Sequence, residues 1–421
     1  MLQLLLLILH ILAFANNVSS YDRLSYGGEY DGAATYNVLD FGAKGDGVTE
    51  DTKALTAAWT TACGNKGGNP TILLPGGKTF LVKVINFDGT NCTFSSVHFQ
   101  LEGNIAAPPT TDWTSCSDNW IGFVNITGLT LDGNGIIDGH GQAFWASRNQ
   151  TLHKNQNDKL YYQELDDCDS VPSALFFVYC TNLQINNVNT INTPGVHFSI
   201  KFSSQVGISN VNITAPEDSP NTDGINIFGS VNVTINHANI ATGDDCIAVN
   251  SGSQFFNISN VACGPGHGIS VGSLGKNGGH ATVSDIHVMD SSFTNTQNGA
   301  RIKTYVGGSG YAKRITFEGI TLSNAGNPII IDQHYCARNT CPDEGTSAVY
   351  ISDISFINFR GTSADVAAIK LLCDKVQDCS DIVLNDIDIT STNPKTPAQA
   401  NCTFVTGTQT KTSPPVSCLK G

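Results

Sequence analysis

Charged side chains are scarce in this 421-residue chain, since Asp, Glu, Lys and Arg together make up only 14% of it. The hydrophobic fraction of 40% excludes a disordered protein, which would be rich in charge and poor in apolar residues. Basic residues are the scarcest charged class: 22 Lys and Arg stand against 36 Asp and Glu, for a net charge of -14. A nucleic-acid partner needs a basic face and is therefore excluded. Glycine is abundant, with 42 residues, which is typical of large β structures with many turns.

The chain also lacks an internal apolar stretch of about 20 residues, the length that a membrane-spanning helix needs. Its main apolar run lies within residues 2–15, and small and polar residues follow it up to Ser20. This pattern is typical of a secretory signal peptide, although residues 1–3 carry no basic side chain. We predict a signal peptide over residues 1–20 and a soluble, secreted mature protein that begins near Tyr21.

Thirteen cysteines in a secreted chain indicate disulfide bonds. One thiol must be left over, and Cys180, inside the apolar run 175–180, is the candidate for a buried free one. Short spacings suggest four local bridges: Cys246 to Cys263, Cys336 to Cys341, Cys373 to Cys379, and Cys402 to Cys418. Export also agrees with seven Asn-x-Ser/Thr glycosylation motifs, at Asn91, Asn125, Asn149, Asn212, Asn232, Asn257 and Asn401.

A short pattern recurs along the chain: an apolar residue, two small or polar residues, then another apolar or small residue. The alternation around each unit predicts a short strand, a turn and a second short strand. Successive units start 23, 27, 23, 25, 34, 34 and 33 residues apart. The eight units begin at Ile185, Ile208, Ile235, Ile258, Val283, Phe317, Ile351 and Leu384.

Repeats of this length with no helix between the strands do not fit a βαβ sheet, whose crossovers need a dozen or more residues. A β-sandwich fits poorly too, because its strands recur about every 8 to 12 residues. Stacked coils fit, so we predict an all-β protein built as a parallel β-helix, with the apolar positions in an inner column. Residues 21–421 would form one domain, with a cap at about 36–63, coils at about 70–390, and an irregular tail over 391–421 held by Cys402 and Cys418.

The open end of a β-helix needs a cap. Residues 49–63 predict a capping helix, with Thr49 as its N-cap and one apolar face that contains Leu55 and Trp59. Residues 112–169 interrupt the repeat, and we expect them to form a surface excursion held by a bridge between Cys116 and Cys168. This stretch includes three tryptophans, Trp113, Trp120 and Trp145.

Four polar clusters stand out from the repeats: 221–224 (Asn-Thr-Asp-Gly), 243–246 (Gly-Asp-Asp-Cys), 266–268 (Gly-His-Gly) and 301–303 (Arg-Ile-Lys). Each alone could be an ordinary turn. However, 22 residues separate Asp223 from Asp245, another 22 separate Asp245 from His267, and 34 separate His267 from Arg301, which are coil lengths. The clusters should therefore stack on one wall, with Arg301 and Lys303 both facing outward.

Three carboxylates, an imidazole and two cations in one groove suit hydrolysis of a glycosidic bond in an acidic sugar polymer. One carboxylic acid can protonate the leaving oxygen while another carboxylate activates water, and the cations can hold substrate carboxylates. A separation of roughly 6.5 to 9.5 Å between the two carboxyl groups would give inversion of configuration. Because the general acid must hold a proton while its partners are ionised, we expect a rate optimum at about pH 4 to 6.

These ordered motifs, together with residues 41–47 (Phe-Gly-Ala-Lys-Gly-Asp-Gly) and 264–270, resemble those of the plant polygalacturonases of glycoside hydrolase family 28. The resemblance spans about residues 36–389. It implies a right-handed, single-stranded parallel β-helix and an inverting hydrolase of α-1,4 bonds in polygalacturonate, acting outside the cell in the plant cell wall.

The resemblance also implies roles for single residues. Asp244 would be the general acid, and Asp223 and Asp245 would activate water with support from His267. Substrate carboxylates would bind Arg301 and Lys303, and Tyr335 resembles the family's substrate-binding tyrosine. The departures from the family pattern are peripheral: Asn226 stands where many relatives carry His, and Tyr305 with Val306 where many carry Trp.

Two rival functions remain open. A pectate lyase could share the β-helix and the anionic substrate, but it requires calcium and an Arg or Lys base. A non-catalytic wall protein could keep the groove to hold pectin, and the tryptophans of the interrupted stretch could form a platform for sugar rings. We expect a monomeric enzyme that binds pectin or polygalacturonate without nucleic acid, membrane, metal or other cofactor. Internal or terminal cleavage and tolerance of methyl esters stay undecided.

Overall fold

Parallel strands stacked in register make up most of the molecule. The computed structural model describes residues 34–66, 68–110, 113–114, 117–146, 171–336, 345 and 347–419, and in this part of the chain every ladder between named strands is parallel. The predicted signal peptide lies outside the described residues. No helix within the described residues is long and apolar enough to cross a membrane.

Within the described residues, the smaller of two sheets has eleven strands, each from a different coil. They are β5 Ile85–Asp88, β8 Asn119–Val124, β11 Ser173–Val178, β14 Phe198–Lys201, β16 Ile225–Phe228, β18 Ile247–Val249, β20 Ile269–Leu274, β23 Asn298–Thr304, β25 Asn327–Asp332, β27 Ala367–Leu372 and β29 Gln399–Thr403.

The larger sheet has nineteen strands, and its longer members bend around a corner of the coil. They are β1 Thr35–Asn37, β2 Asp46–Glu50, β3 Thr71–Leu74, β4 Thr79–Leu81, β6 Val97–Leu101, β7 Asn104–Ala106, β9 Leu129–Asp132, β10 Ile136–Asp138, β12 Thr181–Asn186, β13 Asn189–Ile191, β15 Ser204–Thr214, β17 Val231–Ala241, β19 Ser253–Cys263, β21 His280–Met289, β22 Ser292–Thr294, β24 Ser309–Ala325, β26 Tyr350–Ser363, β28 Cys379–Ser391 and β30 Val405–Ser413.

The predicted repeat is a corner of the coil. In β15, Ile208 and Val211 are both buried, and Asn210 between them has a φ of 54°. This left-handed residue turns the chain, so the inward-facing positions are three apart instead of two. The third residue of all eight units has a positive φ: Asn187, Asn210, His237, Asn260, Asp285, Gly319, Asp353 and Asp386.

Two of the eight units lie at a different corner from the others. Ile258 pairs with Val288 and not with Val283. Phe317 likewise pairs with Phe356, so Ile351 is not its equivalent. The predicted spacings after Ile258 are therefore wrong as coil lengths, because one coil contains several corners with the same local pattern. The parallel β-helix itself is confirmed by the ladders.

The core is a column of apolar side chains inside the coil. Ile225, Ile247 and Ile269 are paired directly on neighbouring coils, and each is fully buried. Towards the N-terminal end the column becomes aromatic, where Phe123 packs 5.1 Å from Phe87 and 5.2 Å from Phe177 between ring centroids. Contacts between similar apolar side chains repeat from coil to coil along the axis, and the apolar surface that they bury stabilises the coil.

The capping helix, α1, spans Thr52–Cys63, and its buried face includes the predicted Leu55 and Trp59. Thr49 was predicted as its N-cap, and this is wrong: the N-cap is Asp51. The Asp51 carboxylate does not cap the helix through a hydrogen bond. It instead accepts hydrogen bonds from the amides of Lys44 and Gly45, which belong to the loop before β2. Two short 3-10 helices lie at Val38–Phe41 and Lys276–Gly278.

The described parts of two predicted irregular regions belong to the coil. The described part of residues 112–169 contributes β8, β9 and β10, and Trp113, Trp120 and Trp145 are at most 8% exposed, which leaves no aromatic platform there. The tail over 391–421 is not irregular, because β29 and β30 pair with β27 and β28. Residues 33–421 form one compact unit.

The predicted disulfides are borne out where the structure describes both partners. Cys246 bonds to Cys263, Cys373 to Cys379 and Cys402 to Cys418, while Cys180 is a buried free thiol. A further bridge, Cys63 to Cys92, joins the end of α1 to the loop after β5 and was not predicted, because the spacing of 29 residues is not a local one. Cys336 is disulfide-bonded, and its predicted partner Cys341 lies outside the described residues, as do Cys116 and Cys168.

Candidate active site

The predicted acidic and histidine clusters lie side by side at the start of the smaller sheet's strands. β16, β18 and β20 are paired at Ile225, Ile247 and Ile269. Asp223, Asp245 and His267 each precede these residues by two positions, so they occupy equivalent places on three successive coils. The prediction that these clusters share one wall is confirmed.

The basic cluster lies further along the sheet than its spacing suggested. Arg301 in β23 pairs with Ser270, three residues beyond His267, and not with His267 itself. Ile302 is fully buried in the core, as predicted from the alternation, and Arg301 and Lys303 leave the opposite face of the strand. Both cations therefore stand over the middle of the sheet and reach back to the carboxylates.

Asp245 is held by two cations at once. Its Oδ1 accepts a hydrogen bond from a terminal guanidinium nitrogen of Arg301 at 2.5 Å, and its Oδ2 accepts one from Lys303 Nζ at 2.7 Å. Ser270 Oγ also donates to Oδ1 at 2.9 Å and accepts from Arg301 Nε at 2.8 Å. All four side chains are nearly buried, so water screens these ion pairs weakly. Two positive charges therefore surround one carboxylate at this point of the groove, and the charge of Lys303 also acts on Asp244.

Asp244 points towards His267 instead. Its Oδ1 lies 3.1 Å from His267 Nδ1 and accepts the amide hydrogen of Asp245 at 2.7 Å, while Asn221 Nδ2 donates to Oδ2 at 3.3 Å. The Asp244 side chain is 19% exposed, whereas that of Asp245 is 3% exposed. Of these two adjacent carboxylates, Asp244 is thus the one that an incoming molecule can reach.

Asp223 is the carboxyl group that favours its protonated form. Burial raises its pKa to about 8, with further contributions from the negative charges of Asp244 and Asp245. A hydrogen bond from Asn226 Nδ2 to Asp223 Oδ2, at 2.8 Å, opposes the shift without cancelling it. In the free protein the cluster therefore keeps one proton near neutral pH, and its preferred position is Asp223.

The pKa of Asp244 moves in the opposite direction. Burial acts to raise it, but the hydrogen bond and positive charge of His267, the charge of Lys303 and the amide of Asp245 together lower this pKa below its usual value of 3.8. Two carboxyl groups in one cluster thus have pKa values pushed apart by their surroundings. Such a pair is the usual arrangement for acid and base catalysis.

Glycines and a disulfide shape the loops that carry these groups. A Cβ on Gly243 would lie 2.0 Å from the Ser219 carbonyl oxygen, so no other residue allows this approach of the two loops. Gly268, next to His267, has a φ of 86°, and a Cβ there would contact the backbone of the next coil at 2.3 Å. Cys246, directly after Asp245, is bonded to Cys263 on the same coil. These features hold the acidic loop against its neighbours.

Tyr335, which resembles the family's substrate-binding tyrosine, lies beside the basic pair. Its ring centroid is 5.2 Å from Lys303 Nζ and 5.3 Å from the ring of Tyr305, which packs against it edge to face. Burial raises the pKa of the Tyr335 hydroxyl, so the phenol stays protonated and can donate a hydrogen bond. Tyr305, one of the departures from the family pattern, thus supports Tyr335.

Sequence reasoning missed several supporting residues. Ser270 links Asp245 to Arg301, and strand alternation from Ile269 could have placed it on the outer face. Asn226, noted only as a departure, holds Asp223, and Asn250 in turn donates to Asn226 Oδ1 at 3.0 Å. His197 is fully buried on the coil before Asp223, and its amide donates to the Asp223 carbonyl oxygen at 2.8 Å. No local sequence pattern distinguishes this histidine.

In the part of the chain that the structure describes, one set of side chains offers atoms that could hold a metal ion. Single ligand atoms of Asp244, Asp245 and His267 lie within 4.8 Å of one another. However, both oxygens of Asp245 already bind the cationic groups of Arg301 and Lys303. A divalent cation would meet two fixed positive charges, so the donor set does not fit a calcium site.

Residues 63–414 match the family model of the glycosyl hydrolases family 28. The chain belongs to this family. A probable polygalacturonase of Arabidopsis thaliana is 42% identical over 91% of the chain and 80% of that protein. A polygalacturonase of Persea americana is 38% identical over 94% of the chain and 83% of that protein. The chain is a glycoside hydrolase, as its motifs indicated.

Among solved structures, the endo-xylogalacturonan hydrolase of Aspergillus tubingensis is similar to the family 28 chain described here. The two superpose with a TM-score of 0.74 at 27% sequence identity, over 90% of this chain and 97% of the fungal enzyme. The parallel β-helix fold is therefore shared along nearly the whole length of both proteins.

Proposed function

We propose that this chain hydrolyses the α-1,4 bonds between galacturonate units of polygalacturonate, the acidic backbone of pectin. The observation that supports this best is the pairing of Asp245 with both Arg301 and Lys303, beside the reachable carboxyl group of Asp244. This places two cations next to an acid and base pair on a protein whose net charge is -14. A carboxylate of an anionic substrate would be attracted to those cations. The related polygalacturonases support the same substrate.

In the proposed mechanism the cluster works with one shared proton. Asp244 is the general acid, because it is the more reachable of the adjacent pair and contacts His267, which can return a proton to it. The proton rests on Asp223 in the free protein and moves to Asp244 in the productive state. Asp223 and Asp245 are then both ionised and activate water on the opposite face of the sugar, which inverts the anomeric configuration.

Arg301, Lys303 and Tyr335 are the proposed substrate-binding residues. The two cations share a single carboxylate in the free protein, so a substrate carboxylate can join them without leaving a negative charge unpaired. Tyr335 beside Lys303 offers a hydroxyl donor and an aromatic ring for a sugar. Arg301 and Lys303 thus both position Asp245 and recognise the substrate.

The experiment that tests this proposal is a reducing-sugar assay of the purified chain on polygalacturonate. We expect new reducing ends, and proton NMR of the first products should show the β anomer, since the bond cleaved is α. No release of reducing ends would contradict hydrolysis, and a first-formed α anomer would contradict inversion. Product sizes from a long oligogalacturonide would decide between internal and terminal cleavage.

The same assay separates the rival functions. A pectate lyase would produce an unsaturated product that absorbs in the ultraviolet and would lose activity in a chelator. We expect no such absorbance and full activity with chelator present. A wall-binding protein without catalysis would bind polygalacturonate and release nothing.

We further propose that the chain is secreted to the plant cell wall as a monomer, after removal of residues 1–20. Buried disulfides such as Cys246 to Cys263 support an oxidising compartment. The glycosylation motif at Asn212 lies on an exposed position of β15. Mass spectrometry of the mature N-terminus and glycans, and size-exclusion chromatography, would test these three points.

A further inference from the structure

A cavity of about 620 Å³ opens directly beside His267. It crosses the corner that leads into the smaller sheet, from the loop before β16 to the turn after β26. Its lining residues are Glu217, Gly266, His267, Asn295, Thr296, Gln297, Asn324 and Ala364. A pyranose unit attached to the sugar at Asp244 can enter such a space, which matches the size of ordinary carbohydrate and ligand pockets.

The lining is rich in groups that bind hydroxyls. Asn295, Gln297 and Asn324 supply side-chain amides, and Asn324 Nδ2 donates to Asn295 Oδ1 at 3.0 Å, which holds both in place. Thr296 is 3% exposed, and its hydroxyl has no hydrogen-bond partner in the described part of the chain. That hydroxyl is enclosed by protein, whereas the side chains of Asn295, Gln297 and Asn324 are exposed, so the amides are the groups that a ligand in the cavity can reach.

The charge of the cavity differs from that of the groove at Arg301. Among the described residues that line it, none is Lys or Arg, and Glu217 is the acidic one. His267 contributes no net positive charge here, because it is paired with Asp244. A galacturonate unit with a free carboxylate would therefore meet a like charge and no cation, whereas a methyl-esterified unit carries no charge at all.

We propose that this cavity is a sugar-binding subsite that favours methyl-esterified galacturonate, and that Glu217 sets this preference. The inference rests on the proposed function and deepens it. Cleavage would then take place where a free carboxylate faces Arg301 and Lys303 and a methyl ester lies on the cavity side of the bond. A like charge about 5 Å away across water weakens binding roughly fourfold, which sets the expected effect of Glu217.

The test compares two substrates of equal length, unesterified polygalacturonate and pectin with half of its carboxyl groups methylated. We expect Glu217→Gln to raise kcat/KM about fourfold on the unesterified polymer at low ionic strength and by less on the half-methylated one. Glu217→Lys should shift the ratio of kcat/KM between the unesterified and the methylated substrate further, and the effects of both variants should be smaller at high salt. Asp218→Asn, next to Glu217 but outside the cavity lining, is the matched control.

Product analysis gives a second measurement that does not depend on rates. Mass spectrometry of fragments from methylated pectin should find methyl esters enriched at one of the two new ends, and Glu217→Lys should remove the enrichment. Unchanged substrate ratios in both Glu217 variants, or equal changes on both substrates, would overturn the subsite. Failure of the wild-type chain to cleave either substrate would instead overturn the proposed function.

Discussion

His267 Nδ1 lies 3.1 Å from Asp244 Oδ1, although 23 residues separate them in the chain. The contact lets one side chain hold or return the proton of the other without moving any backbone. It also keeps the pKa of Asp244 low in the free protein. The acidic cluster therefore keeps its proton on Asp223 until substrate arrives, which is why the two carboxyl groups must be tested separately.

Asp244→Asn should leave the protein folded and nearly inactive. The amide keeps the shape of the side chain but has no transferable proton, so turnover on polygalacturonate should fall by at least roughly 10² to 10⁴. Asp285→Asn, which alters an ion pair with Arg314 on the larger sheet, is the control and should keep wild-type turnover. Retention of more than about a tenth of the turnover by Asp244→Asn would assign the general acid elsewhere.

Asp223→Asn should lose activity and gain stability. The folded state holds the Asp223 proton up to about pH 8, whereas the unfolded chain releases it near 3.8. The unfolded state thus binds fewer protons in this window, and the free energy of unfolding falls as pH rises. Asparagine removes that loss, so the free energy of unfolding at pH 7, measured by thermal unfolding, should increase by up to about 4 kcal/mol. The variant should melt at the wild-type temperature at pH 4 and at a higher temperature than wild type at pH 7.

If Asp223→Asn melted at the wild-type temperature at both pH values, the carboxyl group would not hold a proton in the folded state. Full turnover in this variant would show that Asp223 never needs to ionise, which contradicts its proposed part in activating water.

The architecture could be predicted because it depends on local rules repeated many times. Apolar residues at Ile208 and Val211, with Asn between them, are read from the chain without long-range information, and each such corner adds to the same pattern. The stacking of Asp223, Asp245 and His267 followed for the same reason, since two successive coils have equal length.

What could not be predicted depends on contacts between coils of unequal length. The spacing from His267 to Arg301 resembles a coil, but the register aligns Arg301 with Ser270, because the coil between them is 31 residues long. The location of the proton was equally hidden. It depends on the burial of Asp223, which outweighs the opposing hydrogen bond from Asn226, and neither appears in the order of the motifs.

The pH dependence of kcat/KM should be bell-shaped. The active form has one proton in the cluster. A second proton binds only at a pH below the usual pKa of an aspartate, because the pKa of Asp244 is lowered. The last proton leaves near pH 8, from Asp223. We expect the highest rate between about pH 4 and pH 7, a range that extends above the optimum expected from isolated carboxyl groups. A rate that still increases above pH 8, measured with initial rates on oligogalacturonide, would contradict a shared proton.

Lys303→Met should weaken substrate binding and reduce its salt dependence. Methionine keeps the length of the side chain but removes one of the two cations at Asp245, so one of the two positive charges that attract a galacturonate carboxylate is lost. KM at low ionic strength should rise, and less so at high salt. Lys313→Met is the matched control, since Lys313 lies over Tyr311 on the larger sheet. An unchanged KM for Lys303→Met would place this cation outside the substrate groove.

His197→Gln should make the fold more resistant to acid. His197 is fully buried, with Nδ1 2.8 Å from Thr190 Oγ1, and burial lowers the imidazole pKa from 6.5 to about 3. Between these values the unfolded chain binds a proton that the folded chain does not, so the free energy of unfolding falls as pH drops. From pH 6.5 to pH 4 this loss reaches up to about 3 kcal/mol. Glutamine can still hydrogen-bond to Thr190 and does not titrate, so the free energy of unfolding, measured with denaturant, should depend less on pH than in wild type.

The control is His237→Asn, at an exposed corner with a positive φ that asparagine tolerates. It should keep the wild-type dependence of the unfolding free energy on pH. Equal slopes for His197→Gln and the control would mean that the buried imidazole is not what limits stability in acid.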